Sequence, residues 1–299
     1  MAGATGNLGS RVVRELQGRG KRIRALVREG TDPSRLETQG VEISRGDLLD
    51  PASLDRALDG VSTLITTATG FMRRRKGDSL AVDDLGNRNL VDAAREAKIG
   101  CFVFTSVLTC DRALSVPHFW KKKLIEDYIE ASGVPFVALR PGVLIGAVEG
   151  WDLWSGDLRK GRMTALGSAD GRLTYVHVDD VARCLALAVD EPRALGKRID
   201  LGMDRPISMR EAAAIFTGPL GRPIKVRSLP WIVVGNALRV AGRFDDRLGD
   251  IRAMLDYYFT GVFVADTSVQ AQWFGPVPTV EDTFRRYLNQ LGLLTAPHG

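Results

Sequence analysis

The sequence predicts an α/β fold, a doubly wound parallel sheet with a smaller C-terminal part, and three observations carry that expectation. Strand and helix patterns alternate from Gly3 to about Gly142, which is the order that parallel strands joined by crossover helices require. Glycines at 3, 6 and 9 stand just ahead of the helical pattern Val12, Val13, Leu16, and a strand-like run from Arg22 to Val27 follows at the distance of a strand-helix-strand unit. Beyond Gly142 the alternation gives way to glycine-rich turns, aromatic residues and isolated helices.

Taken in order, the spacing predicts strands near 22–28, 41–45, 62–68, 101–106 and 136–140, with helices near 8–18, 51–59, 79–97 and 118–132. Further on, a strand ends at Thr174-Tyr-Val-His-Val178, and a helix opens at Asp179-Asp180 with Asp179 as its expected N-cap. A strand from Lys197 to Leu201, a capped helix from Ser208, a strand from Lys225 to Leu229 and helices through 231–259 and 280–291 complete the chain.

The glycine turn has a physical reading. One glycine permits a tight turn, one lets backbone amides approach a pyrophosphate, and one lets the helix pack closely on the sheet. A helix opening near Asn7 points its N–H groups and positive dipole end at such an anion. An ordinary turn is the alternative, since glycine-rich turns are common in a chain with 32 glycines.

The stretch Gly3-Ala-Thr-Gly-Asn-Leu-Gly9 resembles the cofactor turn of the atypical and extended short-chain dehydrogenase/reductases, above all NmrA-like and isoflavone-reductase-like members. The resemblance implies a Rossmann-like domain over 1–142 that binds a dinucleotide, and a mostly substrate-binding part over 143–299 from which about 172–190 returns to the sheet. It also exposes a departure. An apolar strand of about five residues precedes the first glycine in that family, whereas only Met1 and Ala2 do so here. The first strand is expected to be truncated, leaving its neighbours' backbone groups to find other partners or the true start to lie upstream of Met1.

The cofactor set implied by the resemblance begins with Gly3, Thr5, Gly6, Asn7, Leu8 and Gly9. Arg28 stands at the strand end where an NAD-preferring pattern has an acidic residue. It suits a 2′-phosphate, and so NADP; a solvated Arg28 beside Glu29 is the alternative. Asp47 and Leu48 follow the next strand at the family's adenine position, Thr66, Thr67 and Ala68 form the small-residue wall after the strand at 63, and Pro141, Gly142 and Val143 extend the set. The run Arg73-Arg-Arg-Lys76 reads as a solvated loop, with contact to an acidic substrate or to cofactor phosphates as the second reading.

The catalytic expectations centre on His118-Phe-Trp-Lys-Lys122. Lys122 takes the place of the lysine in the family's Tyr-x-x-x-Lys pair, and His118 takes that of the tyrosine. Spacing of four keeps both on one helix face, but a phenol beside an ammonium becomes a usable acid, whereas an imidazole there is kept neutral and donates poorly. Lys122 is left to contact the nicotinamide ribose or deliver the proton, and His118 has a plainer reading as a helix-start residue after Pro117. Ser106 occupies the strand end where the family often carries a catalytic hydroxyl, with Thr109 as a neighbour in register and a plain structural hydroxyl as the alternative.

Composition excludes several classes. The 299 residues carry a net charge of +5 with acidic residues interspersed, which does not single out nucleic acid or an acidic membrane. No apolar run reaches the roughly 18 residues of a spanning helix, and no signal-peptide pattern opens the chain, so a cytoplasmic location is expected. Cys101, Cys110 and Cys184 are scattered and read as buried thiols. No metal-ligand cluster, catalytic triad order or Walker lysine stands out. His177 reads as structural, and Trp151, Trp154, Trp231, Tyr257, Tyr258 and Phe259 as core, some of them lining a pocket.

The expected function is NADPH-dependent reduction of a small organic molecule bearing a carbonyl or activated double bond. The rivals are a catalytically idle NAD(P)-binding sensor or assembly protein of NmrA type, and a sugar-nucleotide epimerase. Substrate and oligomeric state are not legible in the sequence.

Overall fold

The computed structural model describes residues 1–71, 79–146 and 154–294. The chain opens with α1 (Asn7–Gly18), followed by β1 (Arg24–Val27), the short α2 (Ser34–Glu37), β2 (Glu42–Arg45), α3 (Pro51–Leu58) and β3 (Thr63–Thr66). Residues Ser79–Gly86 wind as a π-helix that continues into α4 (Asn87–Glu96), and β4 (Cys101–Thr105), α5 (Pro117–Ser132) and β5 (Phe136–Pro141) follow. Next come β6 (Val143–Ile145), α6 (Ser155–Arg159), β7 (Arg162–Leu166), β8 (Arg172–Leu173), β9 (Tyr175–His177), α7 (Val178–Ala188) and β10 (Lys197–Leu201). The chain ends with β11 (Ile207–Ser208), α8 (Met209–Leu220), β12 (Lys225–Leu229), α9 (Trp231–Ala241), α10 (Asp246–Tyr258), α11 (Ser268–Phe274) and α12 (Val280–Gln290).

Two compact units result, one of Met1–Arg140 with Asp179–Ile199 and the other of Pro141–Val178 with Asp200–Gly299. In the first, β1 pairs with β2, and β10, β5, β4 and β3 form a second ladder in that order. The pairs β1/β2, β3/β4 and β4/β5 are parallel.

Met1 and Ala2 leave no gap between β1 and β3. Ala2 bridges Leu26 of β1 on one side and Thr66 of β3 on the other, both in parallel sense. The Ala2 N–H donates to the Ile65 carbonyl at 2.9 Å, while Leu26 and Thr67 donate to the carbonyls of Met1 and Ala2 at 2.9 and 3.1 Å. Two residues thus stitch β1 to β3, and the neighbours' backbone groups find their partners there.

Leu54, Leu58, Leu64, Leu90, Phe102, Phe104, Ile125 and Ile129 pack into one buried cluster of this unit, and Ala4, Val13, Ala25, Val27, Leu36 and Val41 into another. α1 reaches the second through the face its spacing marks, burying Gly9, Val12, Val13 and Leu16. The helix expected over 79–97 departs from plan in its first half. Asn87 Nδ2 donates to the Val82 carbonyl at 2.9 Å and to the Asp83 carbonyl at 3.3 Å, so a side chain takes over carbonyls at the point where the winding changes.

Asp179 is not an N-cap: α7 begins at Val178, and Asp179 lies in its first turn, where its carboxylate meets Arg11 Nε of α1 at 2.6 Å. An acid there also suits the positive end of the helix dipole.

The second unit pairs β6 with β9 and β7 with β12 in parallel, and β8 with β11 antiparallel. Its core gathers Trp154, Tyr175, Phe216, Phe284 and Tyr287, with Phe216 stacked on Phe284 at 4.4 Å between ring centroids. The helix expected from Ser208 has its cap, since Ser208 and Glu211 exchange a capping box. The helices expected through 231–259 are α9 and α10, separated at 242–245. Among the described residues no helix is long and apolar enough to cross a membrane.

Candidate functional site

Parallel strands deliver their carboxyl ends to one edge of the sheet, and the sequence-predicted residues of the first unit collect there. The turn after Ala2 comes first. Gly3 has φ +82°, and a Cβ on it would lie 2.6 Å from Thr67 Oγ1 and 2.9 Å from the Ala68 N. A Cβ on Gly9 would lie 1.9 Å from the Gly3 carbonyl oxygen. Only glycine fits either place, because the turn presses against the β3 exit on one side and against α1 on the other.

Gly6 donates its N–H to the Gly3 carbonyl at 3.0 Å and serves as N-cap of α1 without any side-chain cap. The first turn of α1 therefore has no side-chain cap from its N-cap residue, an arrangement that suits an anion. Asn7 accepts from Arg11 Nη1 at 2.7 Å through Oδ1, and Arg11 is in turn tied to Asp179. Thr5 is exposed and Leu8 half-buried beside them.

Arg28 follows β1 directly and is exposed, and among the described residues it makes no ion pair, with Glu29 or any other acid. Its carbonyl accepts from Arg45 Nη1 at 3.0 Å, and Arg45 also reaches the Thr31 carbonyl at 2.9 Å. Arg45 thus holds the 28–31 loop in shape while the Arg28 guanidinium projects unpaired. After β2, Gly46 has no room for a Cβ, which would lie 2.6 Å from Ser53 Oγ. That close turn sets Asp47, whose Oδ1 accepts from the Leu49 N–H at 2.9 Å. The Leu48 side chain points into the core cluster, so its backbone is what it can offer to a ligand.

At the β3 exit Thr66 is buried, and Thr67 and Ala68 are half-buried against Gly3. Gly70 donates its N–H to both oxygens of Asp83 at 3.1 Å, and Asp83 is 1 % exposed. Lys122 Nζ lies 3.8 Å from Asp83 Oδ1 and 5.1 Å from the centroid of the Phe104 ring. At that distance the pair is ionic rather than hydrogen-bonded, so Lys122 is steadied over β4 with its donors still to offer. Lys123 pairs with Asp127 instead. His118 stacks flat on Phe71, with centroids 3.9 Å apart and planes at 12°.

Ser106 goes to a different task. Its hydroxyl donates to Glu126 Oε1 at 2.5 Å, and Glu126, fully buried, also accepts from Arg140 Nε and Nη2 at 2.9 and 2.6 Å and from Arg198 Nε at 2.9 Å. Cys110 Sγ lies 3.5 Å from the same oxygen, and burial, followed by the Glu126 charge, pushes its thiol up to about 12. Thr109, with φ 54°, is buried beside it. Ser106 is therefore a structural hydroxyl in this geometry.

Pro141, Gly142 and Val143 belong to the second unit. There Gly142 leaves no space for a Cβ, which would lie 2.4 Å from the Thr174 carbonyl oxygen. His177 is buried with Nε2 at 3.2 Å from Gln290 Oε1, in keeping with a structural role. The cations Arg73 to Lys76 and Trp151 lie outside the described residues. Two buried acids, Asp83 beside Lys122 and Glu126 in the ion network, were not singled out by sequence reasoning. For Glu126 a signal existed: Arg140 interrupts an otherwise apolar strand and needs a buried counter-charge.

Comparison with known proteins places the chain in a family. Photosystem II assembly factor Ycf39 of Trieres chinensis is 25% identical over 245 residues, 81% of this chain and 75% of that protein. Quinone oxidoreductase 2 of Escherichia coli is 27% identical over 266 residues, 86% of each chain. The solved structure of Citrobacter sp. triphenylmethane reductase complexed with NADP(H) shares the fold, with a TM-score of 0.79 at 22% identity over 96% of this chain and 99% of that one. The sequence pattern of the NmrA-like family matches residues 1–255, and the chain belongs to that family.

Proposed function

We propose that the protein is an NADPH-dependent reductase of a small organic molecule bearing a carbonyl or an activated double bond. The observation that carries the cofactor choice is Arg28, unpaired and exposed at the carboxyl end of β1, one strand away from the glycine turn. Gly3 and Gly9 form a cradle that a single Cβ would fill, which suits close approach of a pyrophosphate. The relative named a quinone oxidoreductase and the fold neighbour solved with NADP(H) support the same reading.

When bound, NADPH supplies the hydride. The chain's residues would do the rest: the α1 amides would hold the pyrophosphate and Arg28 the 2′-phosphate, the Thr67–Ala68 wall would orient the cofactor, and Lys122 Nζ would contact the ribose or release a proton to the substrate oxygen. Asp83, anchored by the Gly70 amide, fixes the place of that ammonium. A second reading, an NAD(P)-binding assembly protein without turnover, is favoured by His118, which is stacked on Phe71 where the family has its tyrosine, and by the relative named a photosystem II assembly factor. The missing tyrosine speaks against a sugar-nucleotide epimerase.

Titration with the two cofactors tests the proposal. NADPH is expected to bind at least about tenfold more tightly than NADH, from a charge-assisted contact of roughly 1.5 kcal/mol, and Arg28→Ala to remove most of that preference. Equal affinities overturn the assignment of Arg28. Cofactor oxidation over a panel of quinones, enones and azo compounds then separates enzyme from assembly protein, since binding without turnover on any class supports the second reading.

A further inference from the structure

We propose that α9, with the turn that follows it, is a docking face for the surface of an anionic lipid bilayer, lying in the headgroup layer without crossing it.

The composition of α9 does not match its burial. Its sequence Trp-Ile-Val-Val-Gly-Asn-Ala-Leu-Arg-Val-Ala is apolar at most positions, yet Gly235 is its one buried residue. Ile232 is 74% exposed, Val233 64%, and Phe244 in the turn beyond the helix 84%. At about 100° per residue, Ile232, Val233, Asn236, Arg239 and Val240 fall within a sector of roughly 120°. One stripe thus holds apolar side chains and a guanidinium together, and Arg243 and Phe244 continue it.

The hairpin of α9 and α10 is packed through other residues, so this stripe is left over. Trp231 Nε1 donates to Asp256 Oδ1 at 2.9 Å, and the Trp231 ring meets Phe259 edge-on with centroids 5.0 Å apart. A Cβ on Gly242 would lie 2.9 Å from Gly249, so the two helices nearly touch backbone to backbone. Leu229, exposed at the end of β12, precedes the helix, with Arg227 on the same side of the strand.

Charge selects the occupant. Arg227, Arg239 and Arg243 are exposed, and among the described residues none of them has an ion-pair partner. By contrast Arg247 is tied to Asp245, and Arg252 to Asp256 at 3.4 Å. Large apolar side chains flanked by unpaired arginines fit the boundary between lipid phosphates and acyl chains. A second copy of the chain fits less well, because a two-fold interface on this stripe brings the arginines against their own equivalents. With 11 residues, α9 is far below the roughly 20 that a spanning helix needs.

The test is co-sedimentation of the full chain with vesicles of phosphatidylcholine alone and with about a third phosphatidylglycerol. The expected result is binding to the anionic vesicles only, weakened by high salt. The double variant Ile232→Ser/Phe244→Ser, which alters exposed side chains, should bind at least tenfold more weakly with an unchanged melting temperature. Arg239→Gln/Arg243→Gln should lose about fivefold for each charge removed at low salt. The proposal is overturned by absence of binding to anionic vesicles, by binding that the double serine variant leaves intact, or by a dimer in light scattering that the same variant converts to monomer.

Discussion

Lys122 and His118 share a helix face, but their neighbours give them different work. The lysine is held between a buried carboxylate and an aromatic ring, and the histidine lies flat on Phe71. If the protein reduces a substrate, Lys122→Ala is expected to lower turnover by about a hundredfold or more, because it removes a ribose contact and the proton source together. His118→Ala should cost much less; steady-state kinetics of the two variants give the ranking, and the reverse order assigns the proton to the imidazole. The thiols allow a separate expectation about pH. Burial pushes Cys101 up to about 11 and Cys184 up to about 12, and burial with the Glu126 charge does the same for Cys110, to about 12. An unfolded thiol ionises near 8.5, so the folded chain holds these protons more tightly, and their stabilisation is complete below about pH 8.5 and declines as pH rises toward 12. Urea midpoints should therefore fall between pH 8 and 10, and less steeply in Cys110→Ala.

Helix α5 shows how one element serves two purposes. His118, Lys122 and Glu126 follow one another at successive turns, the first two toward the candidate site and the third into a buried ion network with Ser106, Arg140 and Arg198. Breaking that network leaves two guanidiniums without their shared partner, so Glu126→Gln is expected to destabilise the fold by about 3 kcal/mol or more. Chemical denaturation reads the loss, and an unchanged midpoint rejects the ion network as a source of stability. The strand and helix alternation of the first unit was legible because each element carries its own local period. The glycine turn was legible too, since Gly3 is required by its own φ of +82° and Gly9 by the Gly3 carbonyl, both within nine residues of chain. Glu126 was legible only indirectly, through Arg140 in an apolar strand, because its partners arrive from just beyond β4 and from β5 and β10, and no local pattern joins them. The π-winding of Ser79–Gly86 was hidden for a similar reason: the Asn87 side chain decides it by taking the Val82 carbonyl. In the second unit the helical character of 231–259 was legible, but not the break near Gly242, where close packing on Gly249 turns the chain back.

At the scale of the whole molecule, the sheet depends on a strand too short to show any period. Ala2 bridges Leu26 and Thr66, and by that register residues placed ahead of Met1 would lie opposite Arg24 on one side and Leu64 and Thr63 on the other. A version of the chain with about five apolar residues ahead of Met1 is therefore expected to melt several degrees higher, because the residue next to Met1 can extend the ladder on both flanks and the one before it on the β3 side. Equal melting temperatures for the two versions reject this. The two residues that join β1 to β3 run without a break into Gly3, whose position is set by Thr67 and Ala68. Rigidity of the sheet and occupancy of the turn are therefore coupled if an anion binds at Gly3–Gly9: the free energy by which it opposes local parting of the strands is the free energy by which joined strands favour its binding.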